Sequence, residues 1–503
     1  MRFTFPSSSA RALFLLAAAI GSACYATTPG QHPREGNGSS NSNNNNGENN
    51  RANTHNHHQH HQHRHLTAAN ALRQLAAVEV EVDEGKGQSS ATGGTLFSMQ
   101  KSRTYEGERL NAAQPGEMFE RPPESEMCDR WAVLTSIFDP TDAVRQLAAA
   151  EGWCVVVVGD TSGPAVYDVE GVIYLTPADQ EALPYRVIKL LPWDHFGRKN
   201  VGYLYAVHHG AKVIYDVDDD NALLDPEAGG PPHAASSHAP TSTTTFAVGP
   251  EAFVHNPYGC FGGPGNVWPR GFPLDSVNDG DSTRCDAVAV DASGEAAIEE
   301  PWPLGVVQGL ANHDPDVDAV YRLTYPPGGM PFDFERSGEP VPDGGTPLKI
   351  VPPAAFTPYN AQATLHFPPA FWGMLLPVTV HGRVSDIWRS YFTQTLLPST
   401  GAVAAFAPAW VKQIRNPHNY LADFQSELPL YERSGALAAF LDEHRRQSAV
   451  AGQNGVSLPE RIDALVVEMY EYGVLEELDV HLSQAWLEDL HSVGYNPNPT
   501  SGT

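Results

Sequence analysis

The stretch Lys212–Asn221, KVIYDVDDDN, decides how this chain of 503 residues is interpreted. A short apolar run leads into four carboxylates, at Asp216, Asp218, Asp219 and Asp220. Like charges this close raise each other's pKa values, and a bound divalent cation removes the repulsion. Mg²⁺ is usually held by one or two carboxylates together with substrate phosphates. The stretch predicts a metal–phosphate site at the end of a buried strand; the plainer alternative is an acidic surface turn, in a chain with 59 acidic residues.

Alternating strand and helix patterns surround this stretch and predict an open α/β sheet. The continuous apolar run at residues 153–158 is typical of a central parallel strand. Thr141, which follows a proline, is the expected N-cap of the first helix. In order, the predicted elements are strand 131–138, helix 141–151, strand 153–158, strand 172–175, helix 197–209 and strand 212–217.

Three of these strands end in polar residues that we expect to meet at one edge of the sheet. They are Ser136, Asp160 and the acidic run that begins at Asp216. In open α/β sheets, ligands bind beyond the carboxyl ends of the strands. This convergence favours a binding site over a surface turn. Asp160 either accepts hydrogen bonds from a base or ribose, or caps the turn after its strand.

Arg198 and Lys199 lie in the first turn of the predicted helix 197–209. A helix N-terminus with exposed N–H groups and two cations is suited to bind an anion. In a chain of net charge −28, these cations before the acidic strand suit a diphosphate; the alternative is a pair of solvated helix charges. The same net charge argues against nucleic acid as a partner.

The composition divides the chain into four regions. Residues 1–26 carry two arginines and an apolar run shorter than a membrane span, which predicts a cleaved signal peptide or a short signal anchor. Residues 27–125 begin with an Asn- and His-rich tract and are predicted to be a disordered tail and linker. Residues 126–430 are predicted to form one α/β domain, with insertions at 225–250, 278–300 and 325–348. Residues 431–495 are predicted to form a C-terminal helical region.

Four of the five cysteines lie beyond the predicted signal segment. An oxidising lumen permits disulfides there, and a Cys260–Cys285 bridge would close a modest loop. Cys154 lies in an apolar strand and is predicted to be simply buried. Sequence alone leaves the pairing open.

The segment GRKNVGYLYAVHHGAKVIYDVDDDN, residues 197–221, resembles the plant STELLO proteins and their relatives in animals and protists. These are glycosyltransferase-like proteins of the secretory pathway. The likeness covers about residues 128–445 and leaves out the helices after about 450. Its shorter blocks are WPRGFPL (268–274), VQGL (307–310), DPDVD (314–318), AFWGMLLP (370–377), SDIWR (385–389) and RNPHNY (415–420).

The resemblance implies a GT-A-type fold, a Rossmann-like mixed sheet with flanking helices, here followed by a C-terminal helical extension. It implies that the acidic motif binds Mn²⁺ or Mg²⁺, which bridges the diphosphate of a nucleotide-sugar donor. By that likeness Asp218 and Asp220 bind the metal, and Asp219 reaches the sugar or ribose. The residues alone do not choose this pair over Asp216 and Asp218.

The remaining site residues follow from the needs of the chemistry. Ser136 and Asp160 would orient the nucleotide, and Arg198 and Lys199 would help to stabilise the leaving diphosphate. An inverting enzyme also needs a carboxylate base, and Asp386 is the candidate. Its alternative role is to N-cap the helix that follows. In the WPRGFP block, Arg270 either holds a phosphate or braces a loop.

The predicted function is that of a metal-dependent glycosyltransferase in the secretory pathway, in the Golgi lumen or secreted. It would transfer a sugar from a nucleotide-sugar donor to a glycan or protein acceptor. The alternative is a non-catalytic scaffold that organises a polysaccharide-synthesising protein partner in the Golgi, because the plant relatives are linked to cellulose synthase assembly. A nucleotidyltransferase would usually carry a glycine-rich loop after its first strand, and residues 136–140 contain no glycine.

Overall fold

The structure is a computed structural model. It describes residues 99–111, 116–232, 302–324, 334, 348–415, 418–450 and 455–496, together with 234, 236–239, 243–246, 248, 252–264, 266–283 and 285. The predicted signal segment 1–26 lies outside the described residues, as do most of the predicted linker and most of the insertions at 278–300 and 325–348.

The described residues form a mixed sheet of ten strands. The strands are β1 (Arg130–Thr135), β2 (Cys154–Val158), β3 (Val172–Leu175), β4 (Val213–Val217), β5 (Asn221–Leu223), β6 (Thr244–Thr245), β7 (Leu304–Asn312), β8 (Lys349–Ile350), β9 (Ala363–His366) and β10 (Val403–Gln413). Their order is β3-β2-β1-β4-β9-β7-β10-β8-β6, and β5 pairs with β10. The first four strands run parallel, and β9 runs antiparallel to both of its neighbours. The predicted mixed α/β sheet is therefore confirmed.

The parallel half of the sheet fixes where strand ends meet. Thr135, the last residue of β1, pairs with Val158 at the end of β2. On the other side of β1, Val133 pairs with Asp216. Because β1, β2 and β4 are parallel neighbours, their carboxyl ends lie together at one edge.

Nine α-helices occur among the described residues. They are α1 (Asp142–Ala149), α2 (Pro177–Ala182), α3 (Lys199–His208), α4 (Ala319–Thr324), α5 (Gly382–Leu396), α6 (Tyr420–Ser426), α7 (Leu428–Val450), α8 (Leu458–Glu471) and α9 (Glu477–Ser492). Thr141 is the N-cap of α1, as predicted, because its side chain accepts a hydrogen bond from the N–H of Val144. Helix α3 packs closely on the sheet at Gly202, where a Cβ atom would lie 2.6 Å from a methyl carbon of Val133.

The C-terminal helices are docked on the α/β domain by buried carboxylates. Asp479 of α9 accepts a hydrogen bond from the N–H of Val378 at 2.7 Å, and Asp489 accepts one from the N–H of Val187 at 3.0 Å. The indole N–H of Trp486 donates to the carbonyl oxygen of Trp372 at 2.9 Å. Backbone donors in the domain are therefore satisfied by the helical region, which packs as part of one fold.

Part of the predicted linker belongs to this fold. The N–H of Ser102 donates to the carbonyl oxygen of Glu471 at 3.0 Å, and that of Phe119 donates to the carbonyl oxygen of Ser492 at 2.8 Å. Arg103 also donates to the carbonyl oxygen of Tyr470 at 2.7 Å. The folded region thus begins before residue 126, because the ends of α8 and α9 supply hydrogen-bond acceptors that the local composition does not reveal.

Two disulfides occur among the described residues, Cys128–Cys154 and Cys260–Cys285. The second is the bridge considered from the sequence. The first corrects the expectation that Cys154 is simply buried. Trp131 pairs with Cys154 in the parallel register, so the chain three residues earlier passes close enough for Cys128 to reach it. No helix in the described part of the chain has the length and apolarity needed to cross a membrane.

Candidate functional site

A cleft of about 460 Å³ opens at the carboxyl ends of β1, β2 and β4. This is the edge where the sequence places the polar strand ends. Its lining residues are Thr135, Ser136, Ile137, Phe138, Val158, Asp160, Ser162, Asp194, His195, Phe196, Asp218, Asp219 and Asp220.

The structure separates Asp216 from the three acids that follow it. Asp216 lies within β4 and is fully buried, with Oδ1 2.7 Å from Lys199 Nζ and Oδ2 3.0 Å from an Arg389 guanidinium nitrogen. The strand ends at Val217, and the Asp218 side chain, which is 38 % exposed, lines the cleft. Of the two metal-binding pairs left open by the residues, Asp218 and Asp220 are therefore the pair that reaches the cleft.

Asp219 is tied to the end of β1. The hydroxyl of Ser136 donates a hydrogen bond to its carboxylate, and Thr141 Oγ1 donates to its carbonyl oxygen at 2.5 Å. These bonds hold the acidic turn against the turn that follows β1. Ser136 therefore acts here first as a partner of Asp219.

Asp220 is oriented by Asn221 and Gln413, neither of which was predicted to be a site residue. Its Oδ1 accepts from Asn221 Nδ2 at 2.8 Å, and its Oδ2 accepts from Gln413 Nε2 at 3.3 Å. Its carbonyl oxygen accepts from the N–H of Ile414 at 3.2 Å. Gln413 ends β10, a strand nearly 200 residues away in sequence, so no local pattern could have revealed this contact.

The electrostatics of the acidic turn favour a bound cation. Although 38 % of its side chain is exposed, the partial enclosure of Asp218 and the nearby charges of Asp220, Asp216 and Asp219 raise its pKa to about 7, against the lowering influence of Lys199. Burial also raises the pKa of Asp219 and of Asp220. A hard divalent cation stabilises such carboxylates in their charged form.

The donor set of the turn fits Mn²⁺ or Mg²⁺ held jointly with a substrate. Among the described residues, no group of three or more His, Cys, Asp or Glu side chains is arranged to hold a metal ion. Two carboxylates plus substrate phosphates and water make up the usual environment of Mg²⁺.

The two cations predicted to face the diphosphate do not line the cleft. Arg198 is buried, with Nε 3.0 Å from Gln180 Oε1, another guanidinium nitrogen 3.2 Å from the Leu191 carbonyl oxygen, and its plane over the Trp193 ring. Burial lowers the pKa of Arg198 to about 10. Its hydrogen-bond donors are directed into the core, because Gln180 of α2 supplies the acceptor.

Lys199 is fully buried beneath the acidic turn. Its ammonium group contacts Asp216, donates to the carbonyl oxygens of Val217 at 2.8 Å and Ala361 at 3.0 Å, and lies 3.3 Å from Asp218 Oδ1. Lys199 thus supports the acidic turn from the core and does not line the cleft.

Asp160 serves mainly as a cap. Its Oδ1 accepts from the N–H of Thr161 at 2.7 Å and from that of Asp194 at 2.8 Å. Its Oδ2 accepts from the N–H of His195 at 3.2 Å. The carboxylate therefore joins the end of β2 to the loop before α3, and the turn-capping alternative describes its contacts.

Asp386 also lies away from the cleft lining. It is within the first turns of α5, whose N-cap is His381, so the N-cap alternative for Asp386 is wrong. Its carboxylate pairs with Arg270, at 3.0 and 3.2 Å, and accepts from the N–H of Ala361 at 3.2 Å. Arg270 pairs in addition with Asp316 at 2.8 Å, so it braces the loops around β9.

An apolar pair and a histidine also line the cleft, and neither was predicted from the sequence to belong to the site. Ile137 and Phe138 line the cleft and are about half exposed, because β1 ends at Thr135 and does not continue to residue 138 as predicted. His195, in the loop before α3, also lines the cleft. His195 lies three residues before Arg198, and the interpretation of that part of the sequence rested on the charges of Arg198 and Lys199.

The fold and the cleft define a GT-A-like α/β protein with an acidic cleft at the carboxyl ends of its parallel strands. Residues 383–499 match the family described as STELLO glycosyltransferases. The chain is 33 % identical over 380 residues to Probable glycosyltransferase STELLO2 of Arabidopsis thaliana, and 32 % identical over 373 residues to Probable glycosyltransferase STELLO1. These matches place the chain in a STELLO-like glycosyltransferase family.

The extent of these matches matters for what they imply. They cover 74 % and 73 % of this chain but only 46 % and 45 % of the two relatives, so the chain spans less than half of their length. The family match extends to residue 499 and includes α8 and α9, which the sequence resemblance was expected to leave out.

Proposed function

We propose that this protein is a metal-dependent glycosyltransferase that transfers a sugar from a nucleotide-sugar donor to a glycan or protein acceptor. One observation carries the proposal. Asp218, Asp219 and Asp220 line a cleft at the carboxyl ends of parallel strands, within a chain of the STELLO-like family. Ligands bind at this edge in open α/β sheets.

Different residues of the cleft would bind the metal ion, the sugar or ribose, and the base of the donor. Asp218 and Asp220 would hold Mn²⁺ or Mg²⁺, which supplies Lewis-acid stabilisation to the leaving diphosphate when bound. Asp219, whose carboxylate accepts a hydrogen bond from Ser136, would reach the ribose or the sugar. Phe138 offers an exposed ring face at the mouth, suited to stack on a nucleotide base.

We place the protein in the secretory pathway, in the Golgi lumen or secreted. The predicted signal segment supports this, and so do the disulfides Cys128–Cys154 and Cys260–Cys285. Disulfides persist in oxidising compartments and are rare in the cytosol.

A second function, that of a non-catalytic scaffold for a protein partner in the Golgi, draws on a specific observation. Arg198, Lys199 and Asp386 are all engaged in internal contacts. An active transferase must then use other groups to neutralise the diphosphate and to accept the acceptor's proton. A scaffold would bind its partner equally well with the acidic turn removed.

A ligand screen tests the transferase proposal. Thermal unfolding would be measured with a panel of nucleotide sugars, with and without Mn²⁺, for the wild type and for Asp218→Asn and Asp220→Asn. Stabilisation that requires Mn²⁺ and is lost in both variants supports the proposal. Asp225→Asn, an exposed acid just beyond the turn, is the matched control and should respond like the wild type. If no nucleotide sugar stabilises the wild type, the scaffold becomes the better account.

A further inference from the structure

The cleft poses an electrostatic problem, since it must bind an anionic diphosphate. Five of the described residues that line it are aspartates, and none is a lysine or an arginine. A metal ion offsets part of this negative charge. Of the described lining residues, only His195 has a side chain with an N–H group that can donate a hydrogen bond to a phosphate oxygen.

The imidazole of His195 is held in one orientation. Its Nδ1 accepts a hydrogen bond from the N–H of Gly197 at 2.9 Å. A neutral imidazole has one donor and one acceptor nitrogen, so the proton must reside on Nε2. Burial, together with the nearby His381, lowers the pKa of His195, which keeps the ring in this neutral tautomer at neutral pH. The ring therefore has one N–H donor, at Nε2.

The backbone at His195 is also fixed. Its N–H donates to Asp160 Oδ2 at 3.2 Å, and the preceding N–H, of Asp194, donates to Asp160 Oδ1 at 2.8 Å. Asp194 has a φ of 52°, in the left-handed region that residues other than glycine adopt uncommonly. Thr161 Oγ1 donates to the Asp194 carboxylate at 2.9 Å. Backbone in sparsely populated regions is often found where a side chain must be aimed at a ligand.

We propose that His195 is a substrate-contacting residue whose Nε2–H donates a hydrogen bond to a phosphate oxygen of the donor's diphosphate. This contact would help to stabilise the leaving diphosphate, which is the role that the sequence predicted for Arg198 and Lys199. No proton is transferred in this contact. The hydrogen bond strengthens as negative charge accumulates on the leaving diphosphate, because bonds to charged acceptors are the stronger ones. The inference rests on the proposed function only in taking the cleft as a diphosphate site.

The plain alternative is that His195 serves only as the N-cap of the 3-10 turn Phe196–Arg198. Two variants separate these roles. In His195→Asn, the amide oxygen can replace Nδ1 as the acceptor for Gly197, and the donor at Nε2 is lost. In His195→Gln, the longer side chain can place an amide N–H near the former Nε2, and the cap is lost.

The probe is inorganic pyrophosphate, titrated calorimetrically into the full chain in the presence of Mn²⁺. Loss of a hydrogen bond to a charged group should weaken pyrophosphate binding by about 10- to 100-fold in His195→Asn. His195→Gln should stay within about 3-fold of the wild type. Binding of Mn²⁺ alone should be unchanged in both, and thermal unfolding will show whether each variant is folded.

Two results with pyrophosphate would overturn the inference. One is wild-type protein that does not bind pyrophosphate with Mn²⁺, and the other is a folded His195→Asn that binds it as tightly as the wild type. If nucleotide sugars bind equally well to wild type and His195→Asn, the proposed function stands and this inference fails. If pyrophosphate binding depends on His195 but no nucleotide sugar is bound, the inference stands and the proposed function fails.

Discussion

Lys199 Nζ lies 2.7 Å from Asp216 Oδ1, and neither side chain is exposed to solvent. The pair joins the start of α3 to the end of β4, directly beneath the acidic turn. Asp216 is also paired with Arg389, and these cations hold its pKa well below the usual range against the effect of burial. The first acid of the motif thus belongs to the core, and the next three belong to the cleft.

Removal of Lys199 should destabilise the protein. In Lys199→Met, Asp216 loses one of its two cationic partners while it stays buried. Breaking a buried ion pair costs about 3–5 kcal/mol in the free energy of unfolding. Lys212→Met is the control, because Lys212 pairs with Asp129 at the surface, and such pairs contribute about 0–1 kcal/mol. Urea denaturation checks both. If Lys199→Met has wild-type stability but no longer binds nucleotide, Lys199 has a ligand-binding role and not a structural one.

Replacement of Asp386 should act through stability as well. Asp386→Ala leaves Asp316 as the one carboxylate of the described residues that pairs with Arg270 and leaves the N–H of Ala361 without this acceptor. We expect a loss of about 3–5 kcal/mol in the free energy of unfolding. Chemical denaturation alongside any transferase assay distinguishes the roles. An inactive Asp386→Ala with wild-type stability would instead support a role as the catalytic base.

The buried His255 should make the protein sensitive to acid. Burial, followed by the charge of Lys349, lowers the pKa of His255 to about 3, while an exposed histidine titrates near 6.5. The unfolded chain therefore binds the extra proton between these values, and stability falls as the pH drops below about 6.5. Between pH 7.5 and pH 5, this residue contributes a loss of about 2 kcal/mol. Folding free energies of His255→Leu should show a pH dependence weaker by that amount, and an unchanged dependence would contradict the assignment.

The Cys128–Cys154 bridge should stabilise the fold. It ties the segment before β1 to the start of β2 and closes a loop with a sequence separation of 26. Replacing both cysteines by alanine should lower the free energy of unfolding by about 2–4 kcal/mol. Denaturation under oxidising conditions measures the difference. Equal stability of the wild type and the double variant under those conditions would show that the bridge is not formed.

The fold could be predicted from the sequence because each strand is marked by a short run of neighbouring residues. The apolar runs that lead to Thr135, Val158 and Val217 are each visible in a few residues, although the first strand was predicted to continue to residue 138, and the parallel register brings the strand ends together. The contacts of the charged side chains could not be predicted from such short runs. Arg198 is directed inward by Gln180, and Lys199 by Ala361, which lies 162 residues away. Such partners are set by tertiary packing, so a cation at a helix start looked like a ligand-binding group.

Uptake of Mn²⁺ by the protein is the most direct test of the metal–diphosphate site. Electron paramagnetic resonance reports free Mn²⁺ in solution, so the ion can be titrated into the protein with and without UDP or GDP. We predict that the wild type takes up Mn²⁺ more strongly when a nucleoside diphosphate is present. The double variant Asp218→Asn and Asp220→Asn should take up none at the same concentrations. A double variant that takes up Mn²⁺ as well as the wild type would show that the acidic turn is not the metal–diphosphate site.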